Sequence, residues 1–104
     1  MAQFDVYENL NPDTCPTVPF LLDVQAEVLE SLATRVVVPL IRVSVMGTPA
    51  RHLNPEFEIG NVGVVMSTAE LAGVPARLLG PKVDSLNARR DEIMAALDFL
   101  LTGF

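Results

Sequence analysis

Phe57-Glu58-Ile59-Gly60-Asn61-Val62-Gly63-Val64-Val65-Met66 is the stretch that decides the fold. Phe57 and Ile59 alternate with Glu58 on the way in, and Val62, Val64 and Met66 alternate on the way out. Between them Gly60-Asn61 supplies a two-residue turn, so the stretch reads as a β-hairpin. Neither Gly60 nor Gly63 precedes a helical pattern, which makes them hairpin geometry and not a phosphate cradle. Glu56 and Glu58 project the same way; paired carboxylates can do acid–base work, but on such a strand they more often form the wet side.

Upstream, Gln3 to Tyr7 sets Phe4 and Val6 opposite Gln3, Asp5 and Tyr7, the two-residue period of a first strand. Glu8 to Pro19 holds Pro12, Pro16 and Pro19 and reads as a loop. Phe20 to Gln25 alternates again, with Leu22 and Val24 opposite Leu21, Asp23 and Gln25, and Ala26 to Thr34 is a turn or a single helical turn. Arg35 to Val45 is valine-rich but interrupted by Pro39, which lacks a ladder N–H and predicts two strands joined at a bend. Met46 to Asn54, with Gly47 and Pro49, reads as a loop.

Downstream, Ala69 to Gly73 is a short connection, Val74 to Leu79 a last strand weakened by Pro75, and Gly80-Pro81 a break. Leu86, Ile93, Leu97 and Leu100 then share one stripe at helical spacing, widened by Met94 and Leu101. Asp84 or Ser85 is placed to cap this helix and Gly103 to end it, predicting a helix over about 84–102. Asp91, Ala95, Asp98 and Thr102 form its polar or small-residue face. Six or so short strands followed by one helix make a mainly β protein, an antiparallel barrel or sheet with a C-terminal helix packed on it.

Composition agrees. A chain of 104 residues is expected to form one domain, and 50% hydrophobic with 19% charged residues excludes a disordered chain. A net charge of −6 repels phosphate backbones and disfavours non-specific binding to nucleic acid or anionic membranes. Cys15, the only cysteine, can form neither an intrachain disulfide nor a multi-thiolate metal site. With no apolar run of membrane-spanning length and no signal-like start at Met1 to Tyr7, the expected location is cytoplasmic.

The chemistry-bearing residues do not assemble into a catalytic motif. His52 stands alone beside Arg51, and Ser44, Ser67 and Ser85 have no sequence-visible base. Arg89-Arg90 is followed at once by Asp91 and Glu92, which cancel its charge. The expectation is a protein that is not an enzyme and takes no metal or cofactor.

Certain residues, taken in order, carry a likeness. Gln3-Phe4 and Val6-Tyr7, Asp23-Val24-Gln25, Val38-Pro39-Leu40, Ile59-Gly60 and Val74-Pro75 come first, followed by Gly80, Val83, Leu86, Arg89, Ile93, Ala96 and Gly103. In this order and spacing the chain resembles, over its whole length, the CcdB family of toxins from toxin–antitoxin systems, which poison DNA gyrase. The resemblance implies an SH3-like antiparallel β-barrel (1–83) with a small flanking sheet and a C-terminal helix, assembled as a two-fold homodimer. It implies that the helix ends enter the breakage–reunion domain of the gyrase A subunit, trapping the enzyme on cleaved DNA. Carried over by position, the gyrase-binding set is Ala26, Val28, Leu29, Asp98, Leu101, Thr102, Gly103 and Phe104.

The family further implies a CcdA-like antitoxin whose disordered segment folds over the toxin, joint repression of the operon, and contact with DNA only through that antitoxin. The chain departs from the pattern at its end: Thr102 stands where the best-known form has a tryptophan, and Phe104 where isoleucine is usual. Two alternatives therefore stand beside gyrase poisoning. One is a ribonuclease toxin of the same fold, which would need a basic groove and an acid–base pair; the other is an inert homologue that only binds antitoxin.

Overall fold

The computed structural model describes residues 2–29, 31–50 and 52–103. Seven strands make one antiparallel sheet: β1 (Asp5–Asn9), β2 (Phe20–Asp23), β3 (Thr34–Arg42), β4 (Glu56–Ile59), β5 (Val62–Met66), β6 (Ala72–Pro75) and β7 (Leu79–Ser85). Their order is β4-β5-β3-β2-β1-β7, with β6 also paired to β3. A four-residue helix α1 (Val43–Met46) follows β3, and α2 (Arg90–Thr102) closes the chain. Mainly β with one C-terminal helix is therefore the fold class, and the hairpin lies where Gly60-Asn61 predicts it, with Ile59 paired to Val62 and Gly60 at φ +61°.

Several boundaries differ from the sequence expectation, each for a physical reason. The first strand begins at Asp5 because Phe4 adopts φ +71°, donating its N–H to Asp23 O and accepting from Leu86 N. Pro39 does not bend the chain: β3 is one nine-residue strand. On the side of β3 where Pro39 accepts from Ser67 N, the neighbour changes from β5, paired at Leu40–Arg42, to β6, paired at Thr34–Val37. At that changeover no ladder N–H is required of residue 39.

Gly80-Pro81 is not a break either, but part of β7. This strand pairs only with β1, so Pro81 sits on a sheet edge, where a missing N–H is tolerated. Gly80 is needed for close approach, since a Cβ there would lie 2.8 Å from Glu8 O. The strand expected over Val74 to Leu79 ends at Pro75 and gives way to a 3₁₀ turn, Ala76–Leu78. Because β7 runs to Ser85 and another 3₁₀ turn occupies Asn87–Arg89, the helix starts at Arg90, six residues after the expected Asp84, with no side-chain cap. Asp91 and Glu92 in its first turn complement the helix dipole instead.

The sheet buries residues on both faces. One face, with Val6, Leu22, Val38, Leu40, Val64 and Met66, packs with Phe4, Phe57, Leu86 and the helix residues Ile93 and Ala96. The opposite face of β1, β2 and β3 carries a smaller apolar cluster, Tyr7 and Val37 with Leu79, Leu21 and Val74. Farther along the same alternation that second face becomes ionic, with Asp5, Asp23 and Arg35 all buried. The positions opposite Phe4, Val6 and Leu22 are thus a second interior.

Candidate interaction surface

The residues that the resemblance implies for gyrase binding lie in two segments. The first is the turn after β2, where Ala26 and Val28 are exposed, Val28 at 86%, and Leu29 is 46% exposed. It contains the 3₁₀ piece Glu27–Leu29, closed by Leu29 N donating to Ala26 O at 3.0 Å. The second is the tip of α2, where Asp98, Thr102 and Gly103 are exposed and Leu101 is 75% exposed. Phe104 lies outside the described residues. No hydrogen bond or ion pair joins the two segments among the described residues.

Each segment is held differently. At the tip, Thr102 Oγ1 donates to Asp98 O at 2.7 Å, and Gly103, at φ +79°, donates its N–H to Phe99 O at 2.9 Å. This is an αL cap of the kind glycine favours, and it ends the helix where the sequence predicts. The expectation that Met94 and Leu101 widen a covered stripe does not hold within the single chain, because Met94 is 38% exposed and Leu101 more so. Asp98 faces water, so no buried carboxylate has to be accounted for on the last turn.

The turn rests on a buried polar network. Asp23 and Arg35 are both fully buried; Arg35 Nε and Nη2 donate to Asp23 Oδ2 at 2.9 and 2.6 Å. Asp23 Oδ1 accepts from Gln25 N at 2.9 Å. Burial pushes the Asp23 carboxyl up, while the Gln25 N–H and the Arg35 guanidinium pull it down. Nearby, Tyr7 Oη donates to Asp5 Oδ2 at 3.3 Å, and Lys82 Nζ lies 3.3 Å from Asp5 Oδ1. Burial first, then the charge of Asp5, raises the Tyr7 phenol from 10.0 to about 12. Alternation in the sequence puts Asp5 and Tyr7, and Asp23 and Gln25, on shared faces but gives no sign that those faces are buried.

The remaining chemistry-bearing residues lie outside these two segments. His52 is exposed at φ +70°, its ring edge-on to Phe99 with centroids 6.4 Å apart. With Pro55, Glu92 and Ala95 it lines a pocket of about 260 Å³, but Glu92 is already paired with Arg89, whose Nη2 donates to Glu92 Oε2 at 2.8 Å. Arg89 also covers the Phe57 ring at 4.7 Å, so its adjacent charges do more than cancel. Ser67 Oγ donates to Glu70 Oε1 at 2.7 Å, and Glu56 and Glu58 are both exposed. Among the described residues no three His, Cys, Asp or Glu side chains gather as a metal site, and no helix is long and apolar enough to cross a membrane.

The molecule is thus a mainly β domain with one terminal helix that exposes apolar residues on a turn and on that helix's tip. The family model described as CcdB protein matches residues 3–103, nearly the whole chain. The chain belongs to the CcdB family.

Proposed function

We propose that this chain poisons DNA gyrase: as a homodimer it inserts its α2 tips, flanked by the Ala26–Leu29 turns, into the breakage–reunion domain of the gyrase A subunit. The observation that carries the reading is the family match over 3–103, joined to the exposure of Val28 and Leu101 at positions the family uses for gyrase. The toxin needs no bond-breaking chemistry of its own. By binding the open, DNA-cleaved enzyme more tightly than the closed one, it draws gyrase toward that state and slows resealing.

The same reading includes a cytoplasmic protein, a CcdA-like antitoxin as second partner, and operon repression in which the antitoxin holds the DNA. Against a ribonuclease toxin stands the loss of basic groups to structure. Arg35 is fully buried on Asp23, and Arg42 Nε is engaged by Pro16 O at 2.9 Å. The test is a gyrase–plasmid reaction with ATP, trapped with detergent. Linear DNA above the gyrase-only control is expected, and none at micromolar protein would leave the antitoxin-binding homologue. Deleting 102–104 should abolish linearisation while leaving a folded protein; a truncated chain that still linearises plasmid would mean the surface is elsewhere.

A further inference from the structure

We propose that Gln25 is a positioning residue for the Ala26–Leu29 turn, and that its side-chain amide sets the affinity of that turn for gyrase without touching the enzyme. The inference rests on the reading above for its functional half only. Gln25 is 6% exposed, directly behind a turn whose residues are exposed. Its carboxamide is used at both ends. Oε1 accepts from Val36 N at 3.0 Å, and Nε2 donates to Leu29 O at 2.9 Å. The side chain is therefore a strut from the rigid central strand β3 to the last residue of the turn.

The strut is itself fixed. Gln25 N donates to Asp23 Oδ1, and Asp23 is held by the buried Arg35 guanidinium. The chain ion pair, amide, turn is continuous from the second interior of the sheet to the surface. The turn needs such support. Its backbone supplies the Leu29 N to Ala26 O bond and the Leu32 N to Leu29 O bond at 3.1 Å, and none of the residues Glu27–Leu29 is buried. One 3₁₀ turn with no buried side chain does not order itself. A loop that is disordered part of the time binds with affinity reduced by the fraction of time it is competent.

An amide suits this place at neutral pH, because the two contacts require an acceptor and a donor on one side chain. Gln25→Glu keeps the acceptor for Val36 N and loses the donor to Leu29 O. In the full chain, amide hydrogen exchange read by NMR should show protection of Leu29 and Leu32 falling about tenfold, the worth of one net hydrogen bond, while β2 and β3 stay protected. Gyrase affinity should fall by up to the same factor. Lowering pH until the introduced carboxyl binds a proton restores an O–H donor. Protection relative to wild type at the same pH should then recover at Leu29 and Leu32 with β2 and β3 unchanged throughout, whereas a merely structural role would move all of these amides together.

Should Gln25→Glu not fold, Gln25→Met removes both bonds without burying a charge, and the same amides are read. Unchanged exchange at Leu29 and Leu32 in the folded variant overturns the proposal. Faster exchange with unchanged gyrase affinity overturns the positioning role, provided the 102–104 deletion still abolishes binding. If the wild-type chain itself does not bind gyrase, the functional reading falls, and the exchange result alone decides whether Gln25 orders the turn.

Discussion

The turn after β2 and the tip of α2 both expose apolar side chains, yet they are ordered by opposite means. The tip is held by bonds that reach back four residues, Thr102 to Asp98 and Gly103 to Phe99. The turn is held from a distance, by Gln25, Asp23 and Arg35, the last of these on another strand. A locally ordered surface can be altered without disturbing the rest of the molecule. A surface ordered from the interior is coupled to the stability of that interior, and changes there should appear in the turn first.

The largest test of this contrast is Asp23→Ala. It leaves Arg35 as a buried cation without its partner, and removing one member of a buried pair costs about 3–5 kcal/mol. Urea denaturation should show that loss, and the turn amides should lose protection before those of α2. A loss below about 1 kcal/mol, the worth of an exposed pair, would mean the interior does not support the turn.

A second test uses pH on the same interior. The Tyr7 phenol is raised from 10.0 to about 12, so the folded state holds this proton more tightly than the unfolded chain does. Its contribution to stability is complete below pH 10 and is lost as pH climbs through about 12. With one tyrosine and no tryptophan, the phenolate absorbance band reports this residue alone. A midpoint near 10 in the folded protein would break the link between Tyr7 and its buried surroundings.

How much of this was legible follows from where each signal resides. The Gly60-Asn61 hairpin, the alternation of β2 and the Gly103 stop are local patterns, and all three stand. Pro39 and Gly80-Pro81 misled because their tolerance depends on which strand lies beside them, a property of the sheet and not of the segment. The buried network was hidden for a related reason. Asp23 and Gln25 at alternate positions look like a wet face, and the partner that allows their burial, Arg35, stands twelve residues away on β3. The positions proposed for gyrase binding on α2 and the turn rest on family likeness and not on periodicity, which by itself assigns Leu101 to a covered stripe.

Gly103→Ala sharpens the contrast from the other side. Nothing lies within 4 Å of the added Cβ, so the cost comes from φ +79° alone, about 1–2 kcal/mol for a residue with a side chain in the left-handed region. Because the glycine closes the last turn, the expected result is fraying of the tip. Exchange should quicken at the Phe99–Gly103 end of α2, gyrase affinity should drop, and the Leu29 amide should keep its protection. Loss of protection at Leu29 would show that the two surfaces are ordered together.

The smallest effects belong to Thr102. Its hydroxyl donates to Asp98 O from an exposed position, so Thr102→Val, of nearly the same shape, should change stability by less than about 0.5 kcal/mol. Thr102→Trp loses the same hydroxyl and adds a ring able to stack on a guanidinium, an interaction worth about 0.5–2 kcal/mol. Since both variants lack the hydrogen bond, the difference in their gyrase affinities isolates the ring. Trp binding more tightly than Val by that margin would mean the tip faces a gyrase cation and this chain reaches it without stacking. Equal binding by the two would mean residue 102 faces no such cation, leaving the tip's affinity to Leu101 and the backbone around Gly103.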